Sequence, residues 1–312
     1  MAADYAFFKG GIVPIDKAKV GIRTHALQYG TACFEGIRGY WNKEEEQLYI
    51  LHLEAHYRRF LRSCKILKID LPYSLEELCK VTVELADRNG YREDAYIRPL
   101  AYKSSETISP RLHNLEGDLA IYMIPLGDYI DTSKGVRTMV SSWRRVADNA
   151  IPARGKITGS YINSAFAKTE AAENGFDEAI VLTEDGHVCE GSAENIFLVR
   201  YGKIITPPLS EDILEGVTRD TIIQIAKDEI GIETVERKVD RTELYVADEL
   251  FFCGTGAQVS PIIEVDRRAV GDGKPGPITS KISRLYFDIV RGKVPKYHKW
   301  LTPVYSEKHV KV

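Results

Sequence analysis

The spacing of hydrophobic positions changes several times along the chain. In EQLYILHLEAHYRRFLRSCKIL a short apolar run gives way to spacings of three and four at Leu53, Tyr57, Phe60, Leu61 and Cys64, predicting a strand and then a helix. Upstream, KGGIVPIDKAKVGIRTHALQYGTACFEGIRGYW alternates β-branched runs with turn signals and reads as short strands. A second helix is predicted over SLEELCKVTVELADRNG, with Ser74 and Glu77 at capping-box spacing and Gly90 as its stop. DAYIRPLAYK and GDLAIYMIPL read as strands. Apolar periodicity lapses from Gly127 to Gly135 and resumes in VRTMVSSWRRV. The expected division is therefore a small N-terminal domain over 1–127, a linker over 128–134 and a larger C-terminal domain over 135–312.

In the second half, EAIVLT and VCEGSAENIFLV flank the turn EDGH, whose Asp-Gly pair predicts a hairpin. LEGVTRDTIIQIAKDEIG reads as a loop feeding a helix, with Thr218 as N-cap and Gly231 as stop. ELFFCGTGAQVSPIIEV reads as strand, glycine-containing turn and strand, and GPITSKISRLYFDIVRG as a closing helix entered at Pro277. The expected class is mixed α/β (α+β).

Composition narrows the partners. The five cysteines are scattered with no C-x-x-C pair, so neither a disulfide framework nor a metal site is expected. A net charge of −3, with no basic block interleaved with aromatics, argues against nucleic acid. No apolar run approaches membrane length and the N-terminus lacks a signal-peptide pattern. A soluble, cytoplasmic protein acting on small molecules is expected.

Candidate chemistry starts at IPARGKITGSYINSAFAKTEAAENGF. Lys156 is bracketed by Gly155 and Gly159 just before a helical pattern, as though something approaches it closely. Most lysines are merely solvated; one that forms a Schiff base must be partly neutral, which a tight loop could favour by desolvation. Glu190 in CEGSAEN reads either as a solvated turn carboxylate or as the partner that keeps a pyridine nitrogen protonated. The backbone N–H groups of Val217 and Thr218 in EGVTRDT open a helix, which suits a phosphate as well as an ordinary capped helix. CGTGAQ offers a second such turn at Thr255, Gly256 and Ala257. Arg59 lies among Arg58, Arg62 and Lys65, where a solvated face is the default and one member could reach a phosphate.

Taken together, these motifs resemble the branched-chain amino-acid aminotransferases of the fold-type IV pyridoxal-phosphate family, from THALQYGTACFEGIRGY to GPITSKISRLYFDIVRG. The resemblance implies a small N-terminal α/β domain, a larger pseudo-barrel-like C-terminal domain and pyridoxal 5′-phosphate as cofactor. It implies Lys156 as the Schiff-base lysine, Tyr161 at the ring 3-oxygen, Glu190 at the ring nitrogen, and Arg59, Val217, Thr218 and Thr255 around the phosphate. Tyr29, Tyr96 and Arg98 match residues lining the substrate side, which Phe34, Gly36, Arg38 and Tyr129, with Gly256 and Ala257, would complete. The glycines beside Lys156 would leave room for the cofactor. Amino-acid and 2-oxo-acid substrates, with 2-oxoglutarate as acceptor, and a homodimer or higher oligomer follow from the same resemblance. Departures are Ser160 in KITGSY, the GTGAQ turn, and YKSSETISPRLHN, all touching substrate breadth. Rival readings are a D-amino-acid or (R)-amine transaminase, an aminodeoxychorismate lyase and a non-catalytic cofactor-binding protein. The arginine and tyrosine of YIRPL suit a carboxylate-bearing substrate, and a degenerate relative should have lost Lys156 or Glu190, both of which are present.

Overall fold

The computed structural model describes residues 4–127 and 134–306, so Tyr129 and nearly all of the expected linker lie outside the described residues. The chain groups into two compact units. One comprises Met1–Gly127, Gly155–Gly159 and Asp288–Val312; the other comprises Asp128–Arg154 and Ser160–Phe287. The lysine-bearing segment and the C-terminal residues thus belong with the N-terminal part of the chain.

The first unit is built on an antiparallel sheet. Its strands are β1 (Tyr5–Phe8), β2 (Gly11–Pro14), β3 (Ala32–Phe34), β4 (Ile37–Asn42), β5 (Gln47–Leu51), β6 (Ala95–Lys103), β7 (Gly117–Pro125) and a C-terminal strand, Leu301–Pro303. The order runs C-terminal strand, β5, β4, β6, β7, β1, β2, with β3 also paired to β6. Along β6 the side chains of Ala95, Ile97 and Ala101 are buried while Tyr96 and Arg98 face the other way and stay half-buried, the period-two alternation of a pleated strand. Helix α1 is short (His25–Tyr29); α2 (Leu53–Ile66) buries Leu53, Tyr57, Phe60 and Cys64, and with them His56, Arg59 and Ser63. Helix α3 (Leu75–Asn89) starts in the expected capping box: Glu77 N–H donates to Ser74 Oγ at 3.2 Å and Ser74 N–H to the Glu77 carboxylate at 2.7 Å. Gly90 ends it in the left-handed conformation, φ 65°.

The second unit carries a nine-stranded mixed sheet. Its strands are β8 (Val136–Arg144), β9 (Glu178–Leu182), β10 (Val188–Gly191), β11 (Asn195–Arg200), β12 (Lys203–Thr206), β13 (Thr234–Glu236), β14 (Glu249–Gly254), β15 (Gln258–Val265) and β16 (Arg268–Ala269). The order is β10, β9, β8, β15, β14, β11, β12, β13, with β16 on β15; the β8–β9, β8–β15 and β12–β13 pairs are parallel. β9 and β10 form the predicted hairpin, with Gly186 at φ 92° in the turn, and β14 and β15 form the second. The near-continuous apolar runs of β11 and β14 follow from burial on both faces: Ile196, Leu198, Leu250 and Phe252 join one core cluster while Phe197 and Phe251 stack at 5.0 Å on the other side. Helix α4 (Tyr161–Glu173) lays Ala167 and Ala171 on Ala179 and Val181 of β9.

Helix α5 (Val217–Ile225) corrects one expectation: its N-cap is Gly216, and Thr218 is already inside the first turn. A Cβ at position 216 would collide with the Asn195 side chain, so the cap must be a residue without one. The helix runs on through a wider π turn (Ala226–Ile230) to Gly231, the expected stop. Helix α6 (Pro277–Val290) starts at Pro277, and its Ile278 and Thr279 amides donate to the Glu249 carboxylate at 3.0 and 2.7 Å. Glu249→Ala should leave those amides uncapped and lower stability by about 1–2 kcal/mol, read as a shift in denaturant midpoint with unchanged slope.

Candidate active site

In the first unit, residues 155–159 are held by backbone bonds. Lys156 N–H donates to Ser63 Oγ at 3.1 Å, and Phe34 N–H donates to the Lys156 carbonyl at 3.0 Å. Ser63 in turn donates to the Arg59 carbonyl at 3.1 Å, and Thr158 Oγ1 lies 2.9 Å from the Gly30 carbonyl. The neighbouring glycines serve this packing. A Cβ on Gly30, itself left-handed at φ 63°, would lie 2.7 Å from Gly159 Cα, and one on Gly155 would press on Ile157 and Ile66. What approaches these glycines is therefore the chain itself, which corrects the expectation that they leave room for a cofactor. The Lys156 ammonium lies 4.9 Å from the centre of the Phe34 ring.

Arg59 is not on a solvated face: it is 3% exposed and forks onto Glu35, Nε to Oε1 at 2.7 Å and one terminal nitrogen to Oε2 at 2.8 Å. His56 Nδ1 reaches the same Oε2 at 2.8 Å. Burial alone would raise the Glu35 pKa, but the Arg59 guanidinium and the His56 contact hold it well below the usual carboxylate range. Burial drives His56 down, outweighing the Glu35 carboxylate, and the Arg59 and Lys156 charges act in the same downward direction. Desolvating ions this deeply costs several kcal/mol each, so a buried fork of this kind is a poor device for stability alone.

The substrate-side candidates of this unit converge. The Arg98 guanidinium lies over the Phe34 ring at 4.2 Å and donates to Tyr96 Oη at 2.8 Å. Among the described residues it pairs with no carboxylate, and its buried Nε has no partner. Gly36 is where it is because any Cβ there would strike the Tyr96 hydroxyl. Arg38, 1% exposed, instead donates to the Leu126 and Gly127 carbonyls at 3.0 and 2.7 Å, holding the chain at the end of β7. Tyr29 closes α1, its ring 4.7 Å from that of His25. Tyr129 lies outside the described residues.

In the second unit Glu190 is buried, not a solvated turn carboxylate. Arg145 pairs with its Oε1 at 3.0 Å, Leu214 N–H donates to Oε2 at 3.1 Å, and the Asn195 amide lies 3.5 Å from Oε2. Burial pulls the Arg145 pKa down, but the charge of Glu190, with Tyr161 among the smaller contributors, leaves it above its ordinary value. Glu190, Arg145 and Tyr161 are thus one electrostatic group. The first turn of α5 presents the Val217 and Thr218 amides with no side-chain cap, which suits an anion. Thr255, Gly256 and Ala257 form the β14–β15 turn; a Cβ on Gly256 would meet nothing within 4 Å, and Gln258 follows at φ 57°. Away from these residues Asp185, His187 and Glu211 converge, and Lys238 Nζ lies 3.0 Å from Asp185 and 3.3 Å from Glu211, placing a cation there already.

Arg145, Glu35, His56 and Ser63 were not singled out from sequence. A signal existed for two of them: His56, Arg59 and Ser63 recur at helical spacing with the apolar face of α2. Arg145, just past the end of β8, offers no such pattern.

The Amino-transferase class IV family profile matches residues 32–265, and the chain belongs to that family. It is 52% identical over 304 residues, 97% of this chain and 98% of the relative, to a protein of Aquifex aeolicus (strain VF5) named probable branched-chain-amino-acid aminotransferase. Its structure is similar to that of a branched-chain aminotransferase from Thermoproteus uzoniensis solved with norvaline (TM-score 0.93, 49% identity, 97% of this chain and 100% of that one). It is also similar to a T.th. branched-chain amino acid aminotransferase complexed with N-(5′-phosphopyridoxyl)-L-glutamate (TM-score 0.92, 40% identity, 98% and 100% coverage). The mixed α/β architecture is accordingly that of the fold-type IV enzymes.

Glu194, two residues past the Glu-Gly-Ser turn, is pushed up to about 8 by burial and by the charge of Glu178, which Lys168 pairs at 2.5 Å. An acid bound more tightly to its proton when folded contributes stability at low pH that is lost between its unfolded value, about 4.3, and its folded one. Glu194→Gln should therefore gain stability relative to the parent as pH rises from 5 to 8 and no further above that. Thermal midpoints of both proteins at pH 5, 7 and 9 check this, and a pH-independent difference would contradict it.

Proposed function

We propose that this chain transfers amino groups between the branched-chain L-amino acids leucine, isoleucine and valine and 2-oxoglutarate, using pyridoxal 5′-phosphate. The residues fit that cofactor. Lys156 offers an amine for its aldehyde carbon, Tyr161 a hydroxyl for the ring 3-oxygen, and Glu190, charge-compensated by Arg145, a carboxylate for the ring nitrogen. The uncapped start of α5 at Val217 and Thr218, with Thr255 and Arg59, offers donors for the phosphate. When bound, the cofactor supplies the electron sink for the bond-breaking at Cα. With the cofactor bound, Lys156 Nζ would be the group that takes the Cα proton as general base and returns it as general acid. Arg145 and the Leu214 amide hold Glu190 in one orientation, and its carboxylate would be the acceptor for a protonated ring nitrogen. Phe34 and Tyr96 offer apolar surface to an aliphatic side chain, and Arg98 offers the cation that a second carboxylate needs.

The single observation that carries the substrate assignment is Arg98: half-buried, stacked on Phe34, with a buried Nε that has no partner among the described residues. Burying an unpaired carboxylate against an apolar wall costs several kcal/mol, so a pocket accepting both leucine and glutamate needs such a donor. The norvaline and phosphopyridoxyl-glutamate complexes of the two structural relatives support a pocket that takes both an aliphatic side chain and that of glutamate. The reading carries with it a cytoplasmic enzyme. It also carries a homodimer, which the exposed Ile22, Leu27 and Ile108 on two segments joined by Arg23–Glu106 support. Among the described residues no helix is long and apolar enough to cross a membrane.

Purified protein reduced with borohydride should carry the cofactor on Lys156; peptide mapping to Lys168 or Lys203 would refute the assignment. Glu190→Gln should lower kcat by roughly one to two decades with a modest change in KM, because a charge-assisted bond of about 1.5–3 kcal/mol is lost. An unchanged kcat would return Glu190 to a structural role.

Arg98→Ala should impair the 2-oxoglutarate half-reaction more than the leucine half-reaction in single-turnover measurements. Equal losses would assign Arg98 to the α-carboxylate both substrates share. Strong turnover of D-alanine or simple chiral amines would replace the branched-chain reading with the D-amino-acid or amine one.

A further inference from the structure

Glu35 has no place in the chemistry described so far, yet it is the carboxylate that Arg59 engages. Its side chain is 0% exposed and takes both forked bonds of Arg59, the His56 contact and, at 3.3 Å, the Gly36 amide. Its own amide is tied to the Pro99 carbonyl of β6 at 2.9 Å, so the carboxylate cannot swing with its backbone. His56 and His52 are both driven below their ordinary pKa by burial, and Arg59 is the charged partner that faces this carboxylate.

We propose that Glu35 is a positioning residue: its two oxygens fix the plane and roll of the Arg59 guanidinium so that the edge not engaged by Glu35 is directed at the cofactor phosphate. The proposal rests on the reading of Arg59 as a phosphate residue. The fork leaves Arg59 one orientation about its long axis, because Nε and one terminal nitrogen are both committed to carboxylate oxygens at 2.7 and 2.8 Å. Orientation is what an arginine must have before it meets a phosphate, since a preorganised fork loses less freedom per bond formed. Helix α2 transmits the same order to the lysine. The Arg59 carbonyl receives the Ser63 hydroxyl, and that oxygen accepts the Lys156 amide, so the guanidinium and the amine are referenced to one stretch of backbone.

The test compares affinity for pyridoxal 5′-phosphate with affinity for pyridoxal, which lacks the phosphate, on the full chain freed of cofactor and retitrated. Glu35→Gln, which keeps the shape and loses the charge, should weaken pyridoxal 5′-phosphate binding by about tenfold or more and leave pyridoxal binding within about twofold. Glu35→Asp keeps the charge but is one methylene short of the fork, and should also lower the ratio of the two affinities. In the double variant Glu35→Gln/Arg59→Met the loss should be no larger than for Arg59→Met alone. Glu35→Asp binding like the parent, or Glu35→Gln binding pyridoxal 5′-phosphate more tightly, would show that Glu35 only balances charge, and the proposal falls. Equal losses for both ligands would make its role structural, with the same consequence. If Arg59→Met itself leaves the ratio intact, the phosphate reading of Arg59 fails. If it collapses the ratio while both Glu35 variants do not, only the positioning role fails.

Discussion

The arrangement of the first unit depends on how five residues, 155–159, are held. Lys156 gives its amide to Ser63 and takes the Phe34 amide on its carbonyl, so its backbone is fixed from α2 on one side and β3 on the other. That constraint dictates the glycines. Gly30 approaches Gly159 so closely that it has no room for a side chain, and it is left-handed where it ends α1 after Tyr29. With its backbone held on both sides, Lys156 has only its side chain left to move.

The fold follows from ordinary patterning, and the polar residues that matter are those that break it. Period-two alternation in β6 sends Ala95, Ile97 and Ala101 to the core and leaves Tyr96 and Arg98 together on the opposite face. The helical period in α2 places His56, Arg59 and Ser63 among Tyr57, Phe60 and Cys64. In both elements a chemically active side chain is aimed by the same periodicity that builds the core. A one-residue slip in β6 would send Arg98 to the buried face and bring its apolar neighbours out, so the register that builds the core also fixes where Arg98 points.

Much of this could be read from the sequence, and the exceptions have a common cause. The Asp-Gly hairpin, the Ser74–Glu77 box and the Pro277 helix start are local signals, each complete within a few residues. Arg59 reads as one member of a basic cluster because its partner, Glu35, is 24 residues away in sequence, in the connection between β3 and β4. Arg145 gave no signal, since an arginine at the end of a strand looks solvated until Glu190, on a different strand, is brought to it. The cap of α5 was misplaced on Thr218 because threonine is a good N-cap by type, whereas the position actually used, Gly216, is dictated by its contact with Asn195. Local chemistry was legible; long-range pairing was not.

Long-range pairing is also what separates the roles of the buried carboxyls. Glu35 and Glu194 are both removed from water, which by itself would raise both pKa values. Glu35 faces a guanidinium fork and an imidazole nitrogen, and is held ionised. Glu194 faces Glu178 and accepts a backbone amide, and keeps its proton to about 8. Identical side chains at similar depth are thus driven to opposite states by their neighbours alone. Glu190 is likewise buried, and is bonded by Arg145 and the Leu214 amide.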